Sequence, residues 1–88
     1  MEIVWDPRKQ AKLRLERGID LDEIKGLIED GKCLDILEHQ TKADQVLLVL
    51  EYKSYVHLVP VKLEPDRMIL KTCYPSRKAN RKYKGSNK

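Results

Sequence analysis

Apolar positions in the first third of the chain recur at helical spacing, and from Cys33 onward the period shortens to two. The opening Glu2-Ile3-Val4-Trp5 is too short for anything but a strand. Asp6-Pro7 behind it reads as a helix start, because an Asp side chain caps free amides and Pro suits the first helical position. A helix is therefore expected over Arg8 to Arg17, ended by Gly18 as a left-handed cap. Asp20 with Glu23 three residues later resembles a capping box. Leu21, Ile24, Leu27 and Ile28 form one apolar stripe of a second helix that stops at Gly31. Leu34, Ile36 and Glu38 then alternate with Cys33, Asp35 and Leu37, and Val46 to Leu50 is a continuous β-prone run, as in a strand covered on both faces. A tight turn at Lys53-Ser54 returns the chain along Tyr55 to Leu63, and Glu64-Pro65-Asp66 turns it into Arg67 to Tyr74. The order is β-α-α-β-β-β-β. Short links make consecutive strands antiparallel neighbours, so the expected class is α+β, with two N-terminal helices packed on one face of a curved, mainly antiparallel sheet. Pro60 has no amide to give an inner strand's ladder and belongs at a bulge or where the neighbouring strand has ended.

At 88 residues this pattern fills one small domain, and with 36% charged residues the composition is that of a soluble globular protein. No apolar run approaches the roughly 20 residues of a membrane-spanning helix, and the acidic, Trp-containing start is unlike a signal peptide, so a cytoplasmic location with no membrane contact is expected. Cys33 and Cys73 stand far apart with no metal-type spacing and read as packing residues. The net charge of +4 is unevenly placed: residues 1–74 carry 12 Lys/Arg against 14 Asp/Glu, whereas 75–88 carry six cations and no acid. The chain thus reads as an α+β domain over 1–74 and a basic C-terminal segment over 75–88 that is able to form a short helix. A charge excess confined to one segment suits a polyanion or an acidic partner.

That segment interleaves Arg77, Lys78, Arg81, Lys82 and Lys84 with Tyr83. Cations neutralise phosphates and aromatic rings stack on unpaired bases, which suits single-stranded RNA; a solvated, frayed terminus is the competing reading. Arg67, Lys71 and Tyr74 lie on the expected strand immediately before it, with Arg67 and Lys71 on one face by alternation. RNA cleavage through the 2′-hydroxyl needs a base for its proton, a donor for the leaving 5′-oxygen and positive charge around the phosphate, and Lys, Arg and Tyr supply all three. Ordinary exposed strand cations are the plain alternative for Arg67 and Lys71. His57 shares a strand face with Tyr55, Val59 and Val61 and reads as packing, while His39 sits in a polar link. Neither histidine lies in a metal-type pattern, and no phosphate loop or hydrolase motif is present. The first helix is itself cationic through Arg8, Lys9, Lys12, Arg14 and Arg17; beyond a solvated face, it is expected to form with the C-terminal segment the two walls of one electropositive groove.

Taken together, the opening EIVWDPRKQAKLRLERGIDLDEI and the ending RMILKTCYPSRKANRKY resemble the two ends of the BrnT-type toxins. That family opens with a short strand carrying Trp-Asp, a Pro-x-Lys helix start and a Lys-His-Gly turn, and closes with an Arg-rich strand, Ser-Arg-Lys-Ala and a basic helix with a late Tyr. The resemblance implies a RelE/ParE-like fold and the toxin half of a type II toxin–antitoxin pair. Such toxins are metal-independent endoribonucleases that inhibit translation without a cofactor and are neutralised by a cognate antitoxin. By position, Trp5, Lys9, Arg17, Arg67, Arg77 and Lys78 fall on family motif positions, Arg17 replacing the family's His and Tyr74 to Ser76 lengthening the strand-to-helix join. The catalytic candidates are accordingly Arg67, Lys71, Tyr74, Arg77 and Lys78, and the RNA-binding candidates Lys9, Lys12, Arg17, Arg81, Lys82 and Tyr83. The expected partners are the cognate antitoxin and RNA, with ribosome-bound mRNA as one form of that substrate. The alternatives are a catalytically inactive RNA- or protein-binding module and a ParE-like inhibitor of DNA gyrase.

Overall fold

The computed structural model describes residues 1–84; the last four positions of the basic segment, 85–88, lie outside the described residues. The elements are β1 (Glu2–Val4), α1 (Pro7–Arg17), α2 (Leu21–Glu29), β2 (Cys33–Glu38), β3 (Gln45–Tyr52), β4 (Tyr55–Leu63), β5 (Arg67–Leu70), β6 (Tyr74–Pro75) and α3 (Arg77–Tyr83). They form a small α+β fold around an open, mixed sheet in the order β1-β5-β4-β3-β2, with β6 also pairing β4. Neighbours from β2 to β5 are antiparallel, and β1 lies parallel to β5.

Local chemistry explains the helix ends. Asp6 accepts the Arg8 amide at 2.8 Å to start α1, and Gly18, at φ 65°, closes it by donating its amide to Arg14. Asp20 caps α2 through the Asp22 amide. The expected capping box is altered: a Glu at this position ordinarily accepts the cap residue's own amide, but here the Tyr52 hydroxyl stands between, accepting the Asp20 N–H and donating to Glu23 Oε1. Buried Gln10 locks the link between the helices, donating to the Ile19 carbonyl at 2.9 Å and accepting the Leu21 amide. The β3–β4 turn takes positive φ at Lys53 (52°) and Ser54 (66°), the two-residue geometry whose twist matches the flanking strands.

Arg67 to Tyr74 is not one strand. β5 stops at Leu70, Lys71 to Cys73 run outside the ladder, and β6 resumes pairing at Tyr74. Pro60 is the cause: its carbonyl faces this side and accepts the Lys71 amide at 2.9 Å, but its missing N–H leaves no donor to continue the ladder. The proline thus sits where the neighbouring strand has ended, as its chemistry requires.

The core lies mainly between the sheet and the N-terminal helices. Leu13, Ile19, Leu21 and Ile24 pack on Leu48, Leu50, Val59, Val61 and Leu70. The opposite face is covered in part by α3, through Ala79 and Tyr83 against Val49, Val56, Leu37 and Leu58. α1 and α3 therefore lie on opposite faces, and the two basic elements do not wall one groove as expected from their charge alone. No helix among the described residues is long and apolar enough to cross a membrane.

Candidate functional site

A seven-residue helix is too short to hold itself together in water, so α3 depends on its anchors. Ser76 supplies the first: its hydroxyl accepts the Ala79 amide at 3.1 Å and its own amide donates to the Val56 carbonyl at 3.0 Å. Asn80 accepts the Val56 amide through Oδ1 at 3.0 Å, satisfying a β4 donor that β6 does not reach. Tyr83 packs on the sheet and donates its hydroxyl to Asp35 Oδ2 on β2 at 2.6 Å. Lys84 closes the end on Glu51 at 3.1 Å and on the Ser54 carbonyl. The anchors at 76, 79, 80 and 83 form one helical stripe, which turns Arg77, Lys78, Arg81 and Lys82 outward. Arg77, Lys78 and Arg81 are exposed and make no ion pair among the described residues; Lys82 lies 5.3 Å from the Tyr83 ring centroid.

On the same face lies a shallow depression of about 500 Å³, lined by Leu37, Leu47, Tyr74 and the loop from Glu38 to Thr41. Tyr74 pairs with Leu58, which pairs with Val49, so its side chain belongs to the α3 face. In the loop, His39 Nδ1 accepts the Thr41 and Lys42 amides at 3.3 and 3.2 Å. An accepting Nδ1 puts the ring proton on Nε2, giving the loop one fixed tautomer. Tyr74, His39 and the outward cations of α3 are thus gathered on one face.

Other candidates lie elsewhere. Arg67 opens β5 at the Leu63 end of β4, whereas α3 is bonded to Val56, seven residues or roughly 20 Å along the strand. Its guanidinium is held by Glu64 at 2.6 Å, which keeps the Glu64 carboxyl below the usual carboxylate range. Lys71 sits half-buried in the gap between β5 and β6. Lys9, Lys12 and Arg17 lie on the α1 face, where Arg17 Nη1 donates to the Cys73 carbonyl at 3.0 Å. The Tyr83 hydroxyl is pushed above its ordinary pKa, first by its hydrogen bond to Asp35, the opposite of what a tyrosine acting as a base needs. Burial raises the Cys73 thiol to about 12, so it is an inert packing group, and Cys33 is raised for the same reason. His57 is buried, with Nδ1 2.9 Å from the Tyr55 carbonyl and its ring edge-on to Tyr52, as its strand position suggested. Among the described residues no three His, Cys, Asp or Glu side chains gather as a metal-binding group.

The residues missed from sequence are Leu37, Leu47, Asp35 and Asn80. The Ser76-Ala79-Asn80-Tyr83 spacing was the available signal, since it marks the buried side of a helix that charge alone suggests is solvated throughout. No family model, curated protein or solved structure matches this chain.

Proposed function

We propose that this protein is a RelE/ParE-like toxin of a type II toxin–antitoxin pair and cleaves RNA through the 2′-hydroxyl. The observation that carries the reading is the outward row Arg77, Lys78, Arg81 and Lys82 on a helix anchored beside Tyr74. The terminal-segment resemblance and the element order β-α-α-β-β-β-β-β-α support it.

In this reading the 2′-oxygen attacks the adjacent phosphorus, its proton passes to a base, and the 5′-oxygen leaves with a proton from an acid, producing a cyclic phosphate. Arg77 offsets the charge growing on the phosphate, Lys78 assists proton transfer, and Tyr74 positions a base or donates to the leaving oxygen. Arg81 and Lys82 hold the flanking backbone. Arg67 and Tyr83 take smaller parts than their sequence positions suggested, because each is committed to a carboxylate. An acidic segment of a cognate antitoxin would cover the same row.

Purified protein, free of antitoxin, is expected to cleave total RNA or mRNA on translating ribosomes and to arrest growth on expression. Arg77→Ala with Lys78→Ala should abolish both while leaving the circular dichroism unchanged, whereas Arg67→Ala should retain most of the cleavage. No cleavage together with no arrest would sink the enzymatic reading. A non-catalytic RNA-binding module is the second reading, favoured by those two carboxylate commitments; it predicts salt-dependent RNA binding with no product.

A further inference from the structure

A recess of about 410 Å³ follows the outer flank of α1, lined by Lys9, Lys12, Leu13, Arg17 and Thr72, with Asp6 and Glu16 as its acids. Asp6 is already engaged by the Arg8 amide and, at 3.1 Å, by the Arg8 guanidinium, and Arg14 is paired with Asp20 at 3.6 Å. Lys9, Lys12 and Arg17 therefore outweigh the uncommitted Glu16. The recess is tied to the opposite face of the molecule by the chain itself: Thr72 lines it, Cys73 receives the Arg17 guanidinium, and Tyr74 to Ser76 lead directly into α3. At this point the sheet edge is thin, since β5 has ended at Leu70 and only the two residues of β6, with Pro75 exposed, flank β4.

We infer that these two cationic surfaces form one continuous path for a single RNA strand, which runs along α1, crosses the sheet edge over Thr72 to Ser76 and ends on α3. The inference rests on the proposed RNA-binding reading and extends its substrate contact from one face to two. The path spans on the order of 35 Å from Lys9 to Arg81. That length suits the about 4–16 nucleotides bound by compact single-strand-binding domains. Evenly charged phosphates match a narrow row of cations bent around an edge, and Tyr74 offers a stacking surface where the strand crosses. A protein partner would look for large apolar anchors, but the exposed ones among the described residues, Met1, Leu15, Leu34, Ile36 and Leu63, do not line the recess and lie off α3.

The test is fluorescence anisotropy with a 12-nucleotide 2′-O-methyl RNA, which binds but cannot be cleaved, titrated across salt concentrations. Lys9→Gln with Lys12→Gln should lower the slope of log affinity against log salt by about 1.4, from roughly 0.7 per lost phosphate contact on a single strand. Arg77→Gln with Arg81→Gln should do the same, all four together should lower it about twice as far, and Glu16→Gln should tighten binding. These side chains are exposed, so unchanged circular dichroism checks that the fold is kept. If the α3 pair lowers the slope and the α1 pair does not, the path is overturned and the RNA reading stands. If neither pair changes it, both fall. If the α1 pair weakens binding of a 12-residue poly-glutamate peptide but not of RNA, α1 belongs to an acidic protein partner and the path is likewise overturned.

Discussion

The two faces of the sheet are covered to different depths and by different means. Under α1 and α2, Leu21, Ile24, Leu50, Val59 and Val61 are sealed from solvent, and two buried polar side chains, Gln10 and Tyr52, tie the helix joint to itself and to β3. Under α3 the sealed residues are few, and the helix is held largely by Ser76, Asn80 and Tyr83 at its margins. Apolar burial resists unfolding without regard to direction, whereas margin hydrogen bonds fix an orientation at little depth. One face therefore carries the stability of the fold, and the other holds a row of cations outward at a set angle.

Mutations that probe depth test this division most strongly. Ile24→Ala should cost about 2–5 kcal/mol in urea unfolding, the range for emptying a sealed aliphatic site. If its midpoint shifted no further than that of Tyr83→Phe, the asymmetry between the faces would be wrong. Gln10→Ala comes next, at about 2–4 kcal/mol. It leaves the Ile19 carbonyl and Leu21 amide without partners inside the joint, and an orphaned buried group costs about 1–3 kcal/mol.

Tyr52→Phe sharpens the comparison through pH. Burial, and after it the hydrogen bond to Glu23, push the Tyr52 hydroxyl up to about 12. A folded pKa above the unfolded value of about 10 means that this contribution is complete below pH 10 and is lost as pH rises through 12. Wild type should therefore lose stability along that limb more steeply than Tyr52→Phe. Cys73, also raised to about 12, contributes to the same limb in both proteins, so it is the difference between their curves that isolates Tyr52.

Much of this architecture was legible because local rules and tertiary demands agreed. Asp6-Pro7, Gly18 and Asp20 set helix ends that packing then used, and Lys53-Ser54 turned where the alternation broke. What could not be read depended on partners distant in sequence. The break at Leu70 is caused by Pro60, ten residues earlier and across the ladder, and the Tyr52 hydroxyl inside the α2 cap comes from a strand. The candidate site was half legible. The cations of the C-terminal segment were evident, but charge carries no record of which face a helix takes, so α1 and α3 read as walls of one groove while the sheet separates them. Arg67 and Arg77 belong to one run of sequence, but the Glu64–Arg67 turn holds Arg67 at the Leu63 end of β4, a strand's length from α3.

The smallest effect concerns the clamp on α3 itself. The Tyr83 hydroxyl lowers the Asp35 carboxyl below its ordinary range, and Asp35 in turn raises Tyr83. A depressed carboxylate pKa stabilises the fold above its unfolded value of about 3.9, and that contribution fades as pH falls through the folded value. The raised tyrosine contributes below pH of about 10 and fades as pH climbs through its folded value. Wild type should thus exceed Tyr83→Phe by a small, constant margin across neutral pH, and the two curves should converge in acid once Asp35 is protonated. Because Asp35 is exposed and Tyr83 only half-buried, the global margin is slight, and amide exchange is the more telling measurement. In Tyr83→Phe the amides of Asn80 and Lys84 should exchange faster while that of Ile24 keeps its rate, since α3 opens on its own and α2 only with the whole fold. Equal acceleration at all three positions would mean that the faces unfold as one unit, and the division between them would not hold.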